Sequence, residues 1–367
     1  MSTSASPKLT VFATRKDRLT SRLEGLLSVW RFARMLNRQT VIHWPPLPED
    51  QAYFSSEIFD LEAMARDPAT NDLRLIDQKY EPRHDVLDLN PTPEFPDKLD
   101  LEKLREIPRN FFLRSQADIQ FRDEKKADIE TDKKRLYALI KPHPVVRAQL
   151  EKALEWIGPG DFVGVHIRRG DLISNTEVMM RRYLHQANPR RPGTVEDIAR
   201  AELRLKDWIH HFVVRAAPTE AYVDGLRWAT WFKPKKPRVI IFSDSETYAR
   251  EFQRKCPGYT TLLMSDFSAE LSEIQRAYLE MLILSRARRI VSTRSTFSLF
   301  ASFYGNTAFT NVQLLTSRAS MRVFFRKTFR EKLRESRTLE VKCEKLLDAC
   351  LGPSKILKLF IRLFTPK

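Results

Sequence analysis

Two rhythms of apolar spacing alternate along the chain. Short apolar runs end in polar turns, and the turns lead into stretches whose apolar positions recur every three or four residues. Residues 8–13, Lys-Leu-Thr-Val-Phe-Ala, predict a first strand. A polar loop from Thr14 to Thr20 opens into 21–36, where Leu23, Leu26, Leu27, Trp30, Ala33 and Leu36 share a helical face. Residues 40–44 predict a second strand, stopped at Pro45 and Pro46, which bring no N–H to a ladder. Strand, helix, strand in that order is how a parallel sheet begins. Residues 45–130 then lose the rhythm. They are rich in Pro and charge, with short amphipathic pieces such as 101–107, and predict a loop-heavy part of the first domain. The charged run 123–135 predicts a solvated helix face.

From residue 144 the rhythm returns. Residues 144–156 predict a helix with Val146, Leu150, Ala153 and Leu154 inward, broken by the Gly158-Pro-Gly-Asp161 turn. Residues 162–167 predict a strand, 172–200 a polar and basic loop, and 201–215 an amphipathic helix. A strand at 238–242 runs into Ser243-Asp-Ser-Glu246, where Ser243 or Ser245 caps a helix that turns Tyr248 and Phe252 inward. Residues 259–264 predict a further strand, 273–287 a helix and 289–292 a strand. The turn 293–298 is rich in hydroxyls and opens a helix to Gly305. The second half therefore repeats strand, polar turn, helix, the pattern of an α/β protein.

Composition narrows the chemistry. The chain has 367 residues, enough for two domains, with 42% hydrophobic and 30% charged residues, which is globular rather than disordered. It holds 10 Gly, well below the usual ~7%. No G-x-G-x-x-G and no G-x-x-x-x-G-K-[ST] occurs, so phosphate binding falls to side-chain cations and helix N-termini. The net charge of +16 favours anionic partners. Three Cys, at 256, 343 and 350, form no C-x-x-C, which fits a reducing cytosol. The first 25 residues hold no apolar core of secretory type, and no apolar run is long enough to span a membrane. A cytoplasmic protein is expected.

Chemistry-bearing residues gather where the strands end. Residues 163–171 read Val-Gly-Val-His-Ile-Arg-Arg-Gly-Asp, a strand that delivers His166, Arg168, Arg169 and Asp171 to the carboxyl edge of a sheet. Ligands of open α/β sheets bind at that edge, and these residues would face an anionic ligand such as a nucleotide diphosphate. The plain alternative is a buried strand followed by a solvated basic turn. Arg168 offers a planar fork of donors that suits a diphosphate. His166 either hydrogen-bonds the ligand or holds the turn. Asp244 can accept from a ribose hydroxyl or base N–H groups, or act as a cap. Ser295, Thr296, Phe297 and Ser298 open a helix whose dipole suits the same anion, and a simple helix cap explains the hydroxyls equally. Glu280, mid-helix among apolar neighbours, wants a partner such as Arg168, or lies on an exposed stripe. No His/Asp/Cys pattern suggests a metal, and no G-x-S-x-G suggests a serine hydrolase.

His166-Ile-Arg168-Arg169-Gly-Asp171 resembles the first signature of GDP-fucose-dependent fucosyltransferases, most of all the α-1,6 enzymes, including the rhizobial nodulation-factor fucosyltransferases. Ser28–Ala33 and Asn37–Trp44 resemble their first helix and second strand. Ile140-Lys-Pro and the helix after it resemble the segment before the signature, Phe242–Ser245 a strand end, and Tyr278–Ser298 the last signature, with Glu280 at a carboxylate position. The resemblance runs in patches from about residue 8 to 305. It implies a GT-B-like α/β fold, with two Rossmann-like domains facing across a cleft and the donor mainly on the second. It also implies inverting, metal-independent transfer of fucose from GDP-fucose to a hydroxyl of an oligosaccharide or glycolipid, with no cofactor. Arg168 would bind the β-phosphate, Asp244 read guanine or ribose, the 295–298 turn hold phosphate and Glu280 brace the arginine. The family's base lies on the loop after the first signature, where this chain offers Asp171 and Glu177. Family members carry a Gly-rich loop after the first strand, whereas this chain has no Gly there until Gly25.

The expected domains are 1–157 on the acceptor side, 158–317 for the nucleotide sugar, and a basic helical tail, 318–367. Residues 321–367 carry 13 Lys/Arg against 5 Asp/Glu, and 353–364 form a short basic amphipathic stretch suited to a peripheral contact with the inner face of a membrane, or to packing as a last helix. Two other readings stand: a GT-B transferase with another nucleotide sugar, and a non-catalytic basic protein that binds membrane or nucleic acid. Against nucleic acid, the basic residues are dispersed and no zinc or stacked-aromatic signature occurs.

Overall fold

The structure is a computed structural model that describes residues 9–14, 18–46, 53–81, 84–89, 99–113, 119–168, 217, 219–231 and 236–312. Arg169, Asp171, Glu177, the loop 172–200, the helix 201–215 and the tail from 318 lie outside the described residues. The chain divides into two compact units, one of residues 1–158 with 268–283, the other of 159–267 with 284–367.

The first unit holds five parallel strands: β1 (Thr10–Thr14), β2 (Gln39–His43), β3 (Leu73–Ile76), β4 (Val86–Asp88) and β5 (Asn110–Leu113), in the order β3-β2-β1-β5-β4. Its helices are α1 (Leu19–Met35), α2 (Ser55–Ile58), α3 (Leu61–Arg66), α4 (Leu101–Arg105), α5 (Lys126–Leu139) and α6 (Pro144–Ile157). The region 45–130, expected to be loop-heavy, contributes three of the strands. α1 is long because its apolar stripe is unbroken, and Trp30, Phe32 and Ala33 are fully buried. It stops where Asn37 turns left-handed (φ 56°) and the Arg38 N–H donates back to Ala33 O at 2.9 Å. α6 starts on Pro144, with the His143 side chain accepting from Val145 N, and ends at Gly158 (φ 81°). Val146, Leu150, Ala153 and Ile157 form its buried stripe, whereas Leu154 is half-buried. The charged run 123–135 is only partly solvated. Lys133 is buried and pairs with Glu24, while Arg31 of α1 is buried and pairs with Glu124. Opposite charges on facing helices tie α1 to α5.

The second unit holds β6 (Phe162–Ile167), α7 (Thr219–Thr230), β7 (Arg238–Ser243), α8 (Glu246–Lys255), β8 (Thr261–Leu263), β9 (Arg289–Ser292), α10 (Thr296–Tyr304) and β10 (Ala308–Asn311). The intervening helix α9 (Glu273–Leu284) groups with the first unit through residue 283. The strands are parallel in the order β10-β9-β6-β7-β8. The chain winds one way from β6 to β8 and then crosses to β9 and β10, so the switch point falls between β6 and β9. All six residues of β6 are buried, as expected of a central strand covered on both faces. Val163, Val165 and Ile167 pack in one core with Tyr222 and Leu226 of α7 and Phe252 of α8. On the opposite face, a Cβ at Gly164 would meet Leu284 Cδ1 at 2.4 Å and Ala287 Cβ at 3.4 Å, so the strand needs a residue without a side chain there. α7 and β10 have no counterpart in the sequence reading.

Candidate functional site

The register of the second sheet brings three strand ends level. His166 of β6 pairs with Phe242 of β7 and with Ser292 of β9. Two residues beyond that rung stand Arg168, Asp244 and Arg294. They lie at the carboxyl edge of neighbouring strands, spaced about 4.8 Å in such sheets, and the β6–β9 pair marks the switch point where ligands of doubly wound sheets bind. Arg168 is half-buried, whereas Asp244 and Arg294 are exposed.

Beneath this edge His166 organises the turn. The residue is 8% exposed, and its ring stacks on Phe297, with centroids 5.1 Å apart. Nδ1 lies 3.3 Å from Ser292 Oγ and 3.3 Å from Ser295 Oγ. Ser292 Oγ donates its proton to the His166 carbonyl at 2.8 Å. Towards the ring, Ser292 therefore acts as acceptor, and the network assigns the ring proton to Nδ1. Burial, and then the nearby Arg168 guanidinium, push the imidazole pKa down from 6.5 to about 3. His166 is neutral at ordinary pH, so it adds no charge to the edge. Of its two sequence-level roles, holding the turn is the one these contacts perform.

The hydroxyl-rich turn is likewise occupied by its own architecture. Ser295 is the N-cap of α10, and its Oγ accepts from Ser298 N at 3.2 Å. Ser298 is fully buried and donates its hydroxyl to Thr293 O at 3.0 Å. These two serines shape the turn, while exposed Thr296 and half-buried Phe297 form the first turn of α10, where N–H groups and dipole favour an anion. At the end of β7, Ser243 Oγ accepts from Ser245 N at 3.1 Å, so it closes a local turn rather than capping α8, and Ser245 makes no side-chain cap. Tyr248 is half-buried, and Phe252, with Ala249, is buried as the inward face of α8.

Glu280 lies on α9 between buried Leu279 and Met281. Burial raises its carboxyl pKa from 4.5 to about 7, and Arg276, one turn earlier on the helix, pulls in the opposite direction. Among the described residues, no three His, Cys, Asp or Glu side chains gather to hold a metal ion, and no helix is long and apolar enough to cross a membrane.

The structure thus brings His166, Ser295, Phe297 and Ser298 into one contact network and sets Arg168 and Asp244 at the same sheet edge. Arg294 has no motif that marks it in the sequence. Its signal was its place, two residues past β9 as Arg168 stands two past the same rung on β6.

Two all-parallel, doubly wound sheets, the second with cations at its switch point, define an α/β protein. No family model matches the chain and no curated protein matches its sequence. Among solved structures, the chain is similar to POFUT1 in complex with GDP, with a TM-score of 0.51 and 14% identity, over 84% of this chain and 99% of that one. It is also similar to NodZ α-1,6-fucosyltransferase soaked with GDP-fucose (TM-score 0.48, 17% identity, 81% and 92% covered) and to fucosyltransferase NodZ from Bradyrhizobium (0.47, 16%, 81% and 93%). The likeness is one of fold.

Proposed function

We propose that the chain is an inverting glycosyltransferase of the two-domain GT-B type that transfers fucose from GDP-fucose to a hydroxyl of an oligosaccharide or glycolipid. The observation that carries this reading is the edge of the second sheet, where Arg168 and Arg294 stand beside the N-terminus of α10 at the switch point. A diphosphate at that edge meets guanidinium forks and first-turn N–H groups. The fold shared with a GDP complex supports a guanine nucleotide, and the signature His166-x-Arg168-x-x-Asp171 supports fucose as the sugar.

In this mechanism the acceptor oxygen attacks the anomeric carbon from the face opposite the diphosphate. The bond from that carbon to the β-phosphate oxygen breaks, and its electron pair leaves with GDP. Arg168, with Arg169 next in sequence, meets the charge that develops there, so the step draws its positive charge from side chains and backbone N–H groups. Asp244 reads guanine or ribose. Asp171 or Glu177 takes the acceptor proton. The protein works in the cytoplasm, and its basic tail rests on the inner face of the membrane.

Calorimetric titration of the full chain with GDP, GDP-fucose, UDP and ADP, without added metal, tests the donor. Binding confined to the GDP compounds is expected. Binding of another nucleotide keeps the site and removes fucose. Binding of none removes the transferase reading.

A further inference from the structure

The other end of the second sheet opens on a cavity of about 410 Å³. Its walls are the residues that lead into three neighbouring strands: Asp161 before β6, Lys236 and Arg238 at β7, and Arg288 and Arg289 at β9. Four cations thus face one carboxylate. That carboxylate is already engaged, since Arg288 pairs with Asp161 at 3.0 Å. Lys236 and Arg288 are exposed at the rim, yet Lys236, Arg288 and Arg289 each have a contact that orients them. Lys236 Nζ sits 4.8 Å over the Tyr259 ring, and Arg289 donates to Thr310 Oγ1 at 3.2 Å. A pocket of this size accepts a ligand headgroup, and its charge selects an anion.

A second observation says what kind of anion. Ala229 and Thr230 of α7 complete the wall. The residues flanking them, Trp228 and Trp231, are 62% and 73% exposed, the largest exposures among the large apolar side chains described. A small soluble anion gives no reason to hold two indoles in water. A bilayer does, because indoles favour the headgroup level of the membrane interface, and Lys and Arg beside them are drawn to anionic lipid.

We propose that this end of the second unit docks on an anionic phospholipid surface, with headgroup phosphate in the cavity and Trp228 and Trp231 at the interface. The strands run from this cavity to the Arg168 edge. Six residues of β6 at about 3.3 Å each separate the two by roughly 20 Å, so the sites do not compete for one anion.

The test is sedimentation of the full-length protein with vesicles of phosphatidylglycerol and phosphatidylcholine, against vesicles of phosphatidylcholine alone. Two variant pairs are compared, Lys236→Glu with Arg288→Glu and Trp228→Ser with Trp231→Ser. All keep the basic tail, so its contribution is common to every sample. The unmodified protein is expected to favour the anionic vesicles at least about tenfold, and each pair to lose about tenfold or more of that binding. Brominated acyl chains, which need no variant, are expected to quench the indole fluorescence of the unmodified protein. Vesicle binding unchanged in both pairs overturns the proposal and moves any membrane contact elsewhere on the chain. Lack of preference for anionic vesicles overturns it too. A third refutation is inorganic phosphate binding that the charge reversals abolish, while the tryptophan pair binds vesicles normally. That result would assign the cavity to a soluble phosphate.

Discussion

Protonation of His166 should be one of the costliest events in the second unit, and its price in stability follows from where the ring lies. A histidine in an unfolded chain titrates near 6.5, but burial and the Arg168 charge hold the folded value at about 3. Between those limits the unfolded chain binds a proton that the folded one refuses. Stability from this group is therefore intact above about 6.5, and is lost progressively as pH falls towards 3. Each pH unit inside the window corresponds to about 1.4 kcal/mol. At pH 4.5, two units into it, the loss is about 2–3 kcal/mol, a sizeable share of a typical 5–15 kcal/mol. The comparison is with His166→Asn, which keeps a neutral polar group beside Ser292 and Ser295 but does not titrate. Asn starts less stable, because it gives up the stacking on Phe297, so the readout is the change with pH rather than the absolute value. Urea midpoints of both proteins, followed by circular dichroism from pH 7.5 to 4.5, supply it. Carboxylates titrate alike in the two and cancel. The unmodified protein should lose about 2–3 kcal/mol more than the variant across that range. Parallel pH profiles, or a steeper loss in the variant, would refute both the burial argument and the neutral tautomer.

Arg168→Ala should lower kcat by about 10²–10³ in a fucosyl-transfer assay, the usual cost of losing one preorganised charge stabiliser, and wild-type turnover would sink its assignment. Gly164→Ala places a Cβ 2.4 Å from Leu284 Cδ1 on the crowded face of β6, and should destabilise by about 1–3 kcal/mol; an unchanged Tm would show that Leu284 yields freely. Glu280 holds its proton up to about pH 7 when folded but ionises near 4.5 when unfolded, so its stability contribution declines as pH rises between those values. Glu280→Gln should therefore match the parent near pH 4 and exceed it by about 3 kcal/mol at pH 8, and equal Tm at both pH values would contradict the burial of that carboxyl.

What the sequence made visible follows from burial. β6, β7 and β9 are central strands, paired on both sides, and each carries a buried apolar segment, Phe162–Val165, Val239–Phe242 and Ile290–Val291, that ends at a polar residue. β3, β4 and β10 do not. They are three or four residues long, their patterns include Arg74, Asp88 and Asn311, and their extended form comes from a paired neighbour rather than from their own propensity. α7 escaped notice for a related reason. Gly225 interrupts its apolar face, yet a Cβ there would meet Val312 Cγ1 at 2.8 Å and Val291 Cγ1 at 3.0 Å, so the helix needs the gap to approach the sheet. At the site, His166 and Arg168 were legible because a strand ended on them. Arg294 was one of 63 basic residues until the register placed it at the same level. The occupation of Ser295 and Ser298 by their own turn could not be read from composition, since a cap and an anion site use the same residues.

The scarcity of glycine bears on how this edge has to work. A Gly-rich turn lets backbone N–H groups close around a phosphate, and this chain has 10 Gly, none in the 293–298 turn. In the proposed diphosphate site side-chain cations would replace that backbone, and a long arginine is a poor substitute unless its base is fixed. Here the base is fixed: Arg168 follows directly on a strand buried at all six positions, and the ring two residues before it is stacked on Phe297 and lies beside both turn serines. Ordering that strand end during folding leaves less to be ordered on binding, which is where preorganised sites gain affinity. The neutrality of His166 belongs to the same arrangement. A charged imidazole beneath Arg168 would oppose it across a low-dielectric core, whereas a neutral one spends its proton on the serines and leaves the positive charge at the sheet edge, on the guanidinium groups of Arg168 and Arg294.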